Sequence, residues 1–191
     1  MKGGPLRGLR WLAQLSVVSV LWAGVPAYAE IEVVDQAGRT VRLTEPARRI
    51  FLSEPGDFAM LAMLDEHPAT RIVAWNRWRL DDHTVAQWRS IDPIAFDNIE
   101  QLVIDGPQNL SAEALIVHEP DLVVLDHFFG NATQVVRQLE QAGIPVAILK
   151  LEPDLTKQNP AEGLEKLAIL IGHADRGKEV SEFIRSRRDR V

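Results

Sequence analysis

The chain has 191 residues, a formal net charge of −6 and no cysteine. A chain of this length can bury one hydrophobic core, so the composition favours a single globular domain. The negative charge argues against nucleic acid or anionic lipid as the main partner. The absence of cysteine excludes disulfide bonds and lipid attachment through a thiol.

The first 29 residues have the features of an export signal. Basic residues lie within the first ten positions, a mostly apolar segment runs from Trp11 to Leu21, and Ala27-Tyr28-Ala29 resembles a cleavage site. A membrane-spanning helix is the alternative, but the apolar segment is shorter than the roughly 20 residues that a span needs. Cleavage before Glu30 would remove three basic residues and change the net charge from −6 to −9. The sequence therefore predicts a signal peptide at residues 1–29 and a periplasmic protein that is not lipidated.

The first predicted elements after the signal segment are strands. Ile31–Val34 and Thr40–Leu43 flank a polar turn that contains Gly38, and this pattern predicts a small β-hairpin. Residues 49–53 and 71–75 are short and mostly apolar, which predicts two buried strands. The hairpin and the buried strands are therefore expected to belong to different sheets.

Helical patterns follow these two strands. Residues 58–64 carry apolar side chains at helical spacing, and residues 81–88 are predicted as a second helix. Residues 91–96 are predicted as a short strand or an extended loop, because Pro93 disfavours the interior of a sheet.

Residues 111–149 contain two consecutive helix-to-strand units, and a proline introduces each strand. The strands are the apolar runs 122–125 and 146–149, which suit burial on both faces of a parallel sheet. The alternation predicts an α/β fold, a three-layer Rossmann-like lobe with a mostly parallel central sheet. In such sheets ligands bind beyond the carboxyl ends of the strands, so the residues after each strand are candidates for function.

Two helices are predicted near the C-terminal end. Asn159-Pro160 supplies a cap and a first-turn proline for one helix, and Gly172 ends it. The last helix begins near Ala174, and its residues 180–184 carry an apolar stripe that needs a partner surface. The sequence ends without a residue that terminates this helix, so the helix is expected to be the start of a longer one. A frayed terminal helix is the alternative.

Four segments, in order, resemble class III periplasmic binding proteins, the substrate-binding components of ABC importers for ferric siderophores, haem and cobalamin. The resemblance implies two α/β lobes that are joined by a long helix and hold the ligand in the cleft between them. The segments are IEVVDQAGRTVRLTEPARRIF (31–51), LSAEALIVHEPDLVVL (110–125), LEQAGIPVAIL (139–149) and LEKLAILIGHADRGKEVSEFI (164–184).

The resemblance implies an N-terminal lobe at residues 30–173 and the start of the interlobe helix at residues 174–191. The second lobe is absent from the sequence, so a truncated gene product or a partial sequence is expected. The implied protein is a monomer that needs no cofactor, binds an iron chelate or a corrinoid, and delivers it to an ABC permease in the inner membrane. The alternative is a remnant that folds or docks on the permease without useful ligand binding.

Residues in the predicted strand-end loops are the candidates for ligand binding. Indole rings and guanidinium groups near residues 75–79 suit a flat, anionic ligand such as a ferric siderophore. The alternative is a surface row of arginine and tryptophan at a sheet edge. The adjacent aromatic residues after Leu125 are expected to reach the cleft, although one of them could lie in the core instead. The ligand-binding candidates are Glu54, Trp75, Arg77, Trp78, Arg79, His127, Phe128 and Phe129.

Glu113 is the candidate for docking on the permease. The resemblance implies an exposed glutamate seven residues before the proline of the segment Pro120-Asp121, and Glu113 has this position. An exposed carboxylate can bind arginine through charge-assisted hydrogen bonds. The alternative is a carboxylate that only stabilises the first turn of its helix, by about 0.3–1 kcal/mol.

Catalytic and metal-binding patterns are weak in this sequence. The five histidines show no spacing typical of a metal site, and no Gly-x-Ser-x-Gly turn is present. Residues 172–178 resemble a phosphate-binding loop, but Glu179 occupies the position that requires serine or threonine. The sequence therefore predicts a binding protein and not an enzyme, with an exported flavodoxin-like enzyme as the weaker alternative.

Overall fold

The computed structural model describes residues 30–190, so the predicted signal peptide at residues 1–29 lies outside the described residues. Strands and helices alternate along most of this part of the chain, which confirms the predicted α/β fold. The strands are β1 (Ile31–Val34), β2 (Thr40–Leu43), β3 (Ile50–Leu52), β4 (Ile72–Asn76), β5 (Glu100–Leu102), β6 (Leu122–Leu125) and β7 (Val146–Ile148). The α-helices are α1 (Asp57–Ala62), α2 (Asp82–Arg89), α3 (Pro93–Phe96), α4 (Ala112–Ile116), α5 (His127–Gly130), α6 (Thr133–Gln141), α7 (Glu162–Leu170) and α8 (Ala174–Arg188). Short 3₁₀ turns occur at Pro68–Arg71 and Pro107–Asn109.

The five-stranded sheet has the order β5-β4-β3-β6-β7, and every neighbouring pair is parallel. The chain adds β4 and β5 on one side of β3 and then returns to add β6 and β7 on the other side. This reversal creates a switch point between β3 and β6, where the loops that leave the two strands diverge. Open parallel sheets bind their ligands at such a point.

Apolar side chains fill the space on both faces of the sheet. In β6, Leu122 and Val124 pack into one core cluster, whereas Val123 and Leu125 pack into another. All four are fully buried. Successive side chains of a strand point to opposite faces, so a strand covered on both faces requires an unbroken apolar run.

The predicted β-hairpin is present as β1 and β2, which pair antiparallel. Gly38 in its turn has a φ of 79°, a left-handed conformation that favours glycine. The buried Asp35 carboxylate accepts the backbone N–H groups of Ala37 at 2.9 Å and Ile148 at 3.0 Å. The bond from Ala37 closes the turn, and the bond from Ile148 attaches the hairpin to β7, so a free N–H group of the sheet edge is satisfied by this turn.

The last helix, predicted from Ala174, is confirmed as α8, and it packs against α7. The two helices approach closely because Gly177 has no side chain: a Cβ atom there would lie 2.4 Å from the Cβ atom of Ala168. On the same helix Val180 is buried, whereas Phe183 is 55% exposed.

Among residues 30–190, no helix combines the length and the apolar character that crossing a bilayer requires.

Two short elements differ from the sequence predictions. The prediction of a strand or an extended loop at residues 91–96 is wrong. The Asp92 carboxylate caps a helix there by accepting the N–H of Ala95 at 3.1 Å, and Pro93 is the first residue of α3. β5 was not predicted, since Glu100–Leu102 is a partly exposed edge strand without an apolar run.

Candidate functional site

A pocket of about 560 Å³ lies beyond the carboxyl ends of β3, β4 and β6. These strands are neighbours in the sheet, and the pocket borders the switch point between β3 and β6. Its position agrees with the general rule for ligand sites in open parallel sheets. The lining residues are Glu54, Pro55, Gly56, Trp78, Arg79, Leu80 and Phe128.

Buried polar side chains hold the loops around this pocket. Asn76, the last residue of β4, donates from Nδ2 to the carbonyl oxygens of Ser53 and Ile104, both at 3.0 Å. Its Oδ1 accepts the N–H of Ile104 at 2.9 Å and that of Trp78 at 3.2 Å. The Ser53 hydroxyl accepts the N–H of Asp126 at 2.8 Å. One amide therefore connects the loops after β3, β4 and β5, and one hydroxyl connects those after β3 and β6.

Trp75 does not take the role predicted for it. Its side chain is fully buried, and its ring lies 6.2 Å from Phe58, 5.4 Å from Trp88 and 5.9 Å from Phe96, measured between ring centroids. The prediction of ligand contact by Trp75 is thus corrected: the indole belongs to an aromatic core cluster. It lies inside β4, where its side chain points into a covered face of the sheet.

Trp78 and Arg79 lie in the loop after β4 and line the pocket. The guanidinium carbon of Arg79 stands 4.0 Å from the centroid of the Trp78 ring, which is a cation–π contact. Arg79 has a φ of 67°, a left-handed conformation that is uncommon for a residue with a side chain. Arg77 donates to Asp82 at 2.7 Å and lies outside the pocket lining.

The aromatic pair after β6 is divided between the pocket and the core. Asp126 caps α5 by accepting the N–H of Phe128 at 2.6 Å, so the predicted loop is a single helical turn. Phe128 is 48% exposed and lines the pocket, whereas Phe129 is fully buried, which corrects the prediction that Phe129 contacts ligand. His127 is exposed and lies outside the lining of this pocket.

Other carboxyl groups, which are not among the predicted ligand-binding residues, influence the pKa of Glu54. Burial, followed by the charges of Asp126 and Glu152, raises the pKa of Glu54 to about 7, while Arg79 acts in the opposite direction. Burial and the charge of Glu54 raise the pKa of Asp57 well above its ordinary value. The only signal for these acids in the sequence is that each follows a buried strand within a few residues.

Glu113 lies at the start of α4, on the same end of the sheet as the pocket, because α4 follows the loop that leaves β5. Ser111 caps the helix by accepting the N–H of Ala114 at 3.2 Å, and its hydroxyl donates to Glu113 at 2.9 Å. The backbone N–H of Glu113 and the Ser111 hydroxyl lower the pKa of the exposed Glu113 carboxyl. A depression of about 510 Å³ beside it is lined mostly by polar side chains from α4, α6 and Pro107–Asn109.

Metal binding finds no support among residues 30–190, where no three His, Asp or Glu side chains are grouped so as to hold an ion. The pocket instead combines two aromatic rings, one guanidinium group and one carboxyl group, an arrangement that suits an organic ligand.

Solved structures of periplasmic binding proteins share this fold. The chain is similar to the TroA-like periplasmic binding protein FepB of Veillonella parvula, with 21% identity and a TM-score of 0.66 over 82% of this chain and 47% of that one. A periplasmic solute-binding protein of Veillonella parvula gives 16% identity and a TM-score of 0.65 over 83% and 46% of the two chains. The heme-binding protein HmuT gives 20% identity and a TM-score of 0.56 over 90% and 50%.

The chain thus spans about half the length of these relatives. No curated protein matches it at a significant level. The model of the family described as periplasmic binding protein matches residues 53–191, which include the pocket and all elements from α1 onward. The chain belongs to the periplasmic binding protein family.

Proposed function

We propose that the chain forms one wall of the ligand cleft in the substrate-binding protein of an ABC importer. The ligand is an iron chelate, such as a ferric siderophore or haem, or it is cobalamin. The observation that carries this proposal is the pocket at the switch point of the sheet, with Trp78, Arg79 and Phe128 in its lining. Family membership supports a solute-binding role rather than an enzymatic one.

The chemistry of the pocket supports an organic ligand with flat groups. Its volume of about 560 Å³ falls within the range of roughly 300–1,000 Å³ that small-molecule sites occupy. Phe128 and Trp78 offer ring faces for stacking, and Arg79 offers donors for oxygen atoms of the ligand. HmuT, which shares the fold, is a heme-binding protein, and haem is one ligand of this kind.

Glu113 supports delivery to a permease in the inner membrane. Its carboxylate is exposed and ionised at neutral pH, and the Ser111 hydroxyl, which donates to it at 2.9 Å, holds it in place. An arginine of the permease would form charge-assisted hydrogen bonds with it. We therefore place the protein in the periplasm, as a monomer that presents Glu113 to the membrane.

We further propose that residues 30–173 form the N-terminal lobe and that α8 starts the interlobe helix. The packing of α8 on α7 and the buried Val180 support this division. The half-exposed Phe183 further along α8 leaves an apolar face available for a second lobe.

Fluorescence titration of residues 30–191 tests ligand binding. Of the tryptophans in that segment, Trp78 lines the pocket, so a ligand that stacks on it is expected to quench its fluorescence at micromolar concentration. Ferric catecholate and hydroxamate siderophores, haemin and cyanocobalamin are the probes. Arg79→Ala is expected to weaken binding by about tenfold, or about 1.4 kcal/mol.

Arg77→Ala is the matched control for Arg79→Ala, because Arg77 is a neighbouring arginine that pairs with Asp82 outside the pocket. It should leave the dissociation constant unchanged. If no probe quenches the wild-type protein, ligand binding by this chain is refuted. Permease association without quenching would then favour the alternative, a lobe that docks without useful ligand affinity.

A further inference from the structure

The strand β7 forms one edge of the five-stranded sheet, and β6 is its neighbour in that sheet. The carbonyl of Pro145 and the N–H of Leu149 bond to β6. Because the backbone groups of successive residues point to opposite sides of a strand, those of Val146, Ile148 and Lys150 point away from the sheet. An edge with outward backbone groups can pair with a strand of another chain.

The turn between β1 and β2 bonds to these outward groups in succession, mostly through side chains. In strand order, the bonds run from Arg39 Nη2 to the carbonyl of Val146, from the N–H of Ile148 to Asp35 Oδ2 at 3.0 Å, from the N–H of Gln36 to the carbonyl of Ile148 at 3.1 Å, and from the N–H of Lys150 to Gln36 Oε1 at 2.6 Å. A neighbouring strand would offer the same alternation of donors and acceptors. We call residues 35–39 the edge clip, because they take the place of a further strand.

Asp35 organises the edge clip with both oxygens of its buried carboxylate. Oδ1 accepts the N–H groups of Ala37 at 2.9 Å and Arg39 at 2.8 Å, and these bonds close the turn. Oδ2 accepts the N–H of Ile148 and, at 3.2 Å, Nε of Arg39. One oxygen therefore shapes the turn, and the other connects the turn to β7.

β7 lacks the features that protect many edge strands from pairing. Its residues Val146–Ile148 are apolar and buried, with neither a charge nor a proline among them. At the opposite edge of the sheet, β5 begins with the exposed and charged Glu100. Charged side chains at an edge disfavour pairing with another strand, whereas an apolar edge favours it. β7 therefore depends on the edge clip for protection.

We propose that the edge clip is a detachable cover over a strand-docking surface at β7, and that a second copy of the chain pairs through β7 when the clip opens. A second copy is the occupant because its β7 carries the same apolar side chains and the same outward backbone groups, so two edges can pair about a twofold axis. The hairpin is a separate two-stranded sheet, so the clip can open while the five strands stay paired. This inference is independent of the ligand pocket and of Glu113.

Asp35→Asn in residues 30–191 tests the edge clip. The new amide oxygen can replace Oδ1 and keep the turn, but its NH₂ group then faces the N–H of Ile148 and the guanidinium of Arg39, donor against donor. The Ile148 amide should exchange hydrogen at least about tenfold faster than in the wild type. Sedimentation velocity should show a dimer whose fraction increases with protein concentration. The exchange of Ile148 should slow again as this dimer forms.

Asp154→Asn is the matched control. The Asp154 carboxylate accepts the N–H of Thr156 at 3.1 Å, so it closes a turn by the same kind of bond, but in a loop and not at the sheet edge. This variant should stay monomeric and keep the wild-type exchange rate of Ile148. If Asp35→Asn does not fold, Gln36→Ala, which removes the acceptor of the Lys150 N–H, replaces it.

Three outcomes would overturn the inference. Rapid exchange of the Ile148 and Lys150 amides in the wild type, or unchanged exchange in the folded variant, would show that the edge clip does not cover β7. A folded variant with rapid exchange that stays monomeric at every concentration would show that β7 is no docking surface. A dimer that leaves the exchange of Ile148 rapid would place the contact elsewhere.

Discussion

Glu54 and Asp57 are the residues whose protonation differs most clearly from that of ordinary carboxyl groups. Both owe their raised pKa first to burial and then to neighbouring carboxylates. The folded protein therefore keeps protons on these groups at a pH at which the unfolded chain has released them. The free energy of unfolding therefore decreases as the pH rises, whereas a salt-bridged acid with a lowered pKa makes it increase.

The free energy of unfolding should fall as the pH rises from about 5 to 7.5. The Glu54 pKa is about 7 in the folded state, above the ordinary value of 4.5, so the folded state binds more protons in this interval. Below 4.5 both states are protonated, and the stabilisation is fully present. The raised pKa of Asp57 adds to this loss of stability as the pH rises. Asp65 has a lowered pKa, so it titrates below this pH interval.

Thermal denaturation followed by circular dichroism between pH 5 and pH 8 measures this effect. The melting temperature should decrease with pH in the wild type and change less in Glu54→Gln. Glu182→Gln, on the exposed surface of α8, should keep the wild-type slope. A melting temperature that increases from pH 5.5 to pH 7.5 would contradict the assignment.

The sequence predicted some pocket residues correctly but also assigned two buried aromatic residues to the pocket. The difference depends on where each strand or helical turn begins and ends. Trp75 and Trp78 have the same chemistry, and only the end of β4 at Asn76 decides that Trp75 is buried and Trp78 is not. The strand was predicted to end at residue 75, one position too early. Phe128 and Phe129 differ in the same way, since the helical turn capped by Asp126 directs them to different environments.

At the scale of elements, the contact between α7 and α8 depends on the absence of one side chain. Gly177→Ala would bring a Cβ atom to 2.4 Å from the Cβ atom of Ala168, which is closer than two carbon atoms can approach. Overpacking of this kind destabilises a protein by about 1–3 kcal/mol, even though alanine favours helix formation. Urea denaturation should show this loss.

The swapped double variant Ala168→Gly/Gly177→Ala provides the control for steric overlap. It moves the methyl group from α7 to α8, so it should be more stable than the sum of the two single variants predicts. Additive effects would show that the two residues do not contact each other as described.

The elements with long or unbroken patterns were the ones that the sequence predicted well. β6 is an apolar run covered on both faces, and its predicted bounds at residues 122–125 agree with the structure. β5 lies at the edge of the sheet, where half-exposed polar side chains are tolerated, so its sequence carries no strand pattern. α3 is a single turn stabilised by its cap, which a periodicity argument cannot detect.

At the scale of the molecule, one end of the sheet carries both the ligand pocket and Glu113. α5, which presents Phe128, packs against Pro107–Asn109, which leads into α4 and Glu113. The sequence predicted both regions as functional but assigned them to different faces. Their common location could not be predicted, because it depends on the strand order β5-β4-β3-β6-β7, which brings together residues far apart in the sequence.

Charge reversal at Glu113 tests docking separately from ligand binding. Glu113→Arg should reduce association with the cognate permease in nanodiscs by at least about tenfold, because a buried or partly buried ionic contact becomes a repulsion. Glu119→Arg, an exposed acid at the opposite end of the sheet next to β6, should associate like the wild type.

Ligand titration of the Glu113→Arg variant provides the second readout. Its fluorescence quenching should match that of the wild type, because Glu113 does not line the pocket that contains Trp78. A loss of ligand binding together with permease association would refute the assignment of Glu113 to docking.

Asn76 has a consequence for the entropy of binding. Ordering a flexible loop on ligand binding costs about 0.5–1.5 kcal/mol for each immobilised side chain, and this cost weakens many loop-built sites. Here a single buried amide with four hydrogen bonds fixes the loops before any ligand arrives. The pocket is therefore preorganised. The affinity of the pocket for a ligand depends on the contacts between them, and little of the binding free energy is lost in ordering the loops.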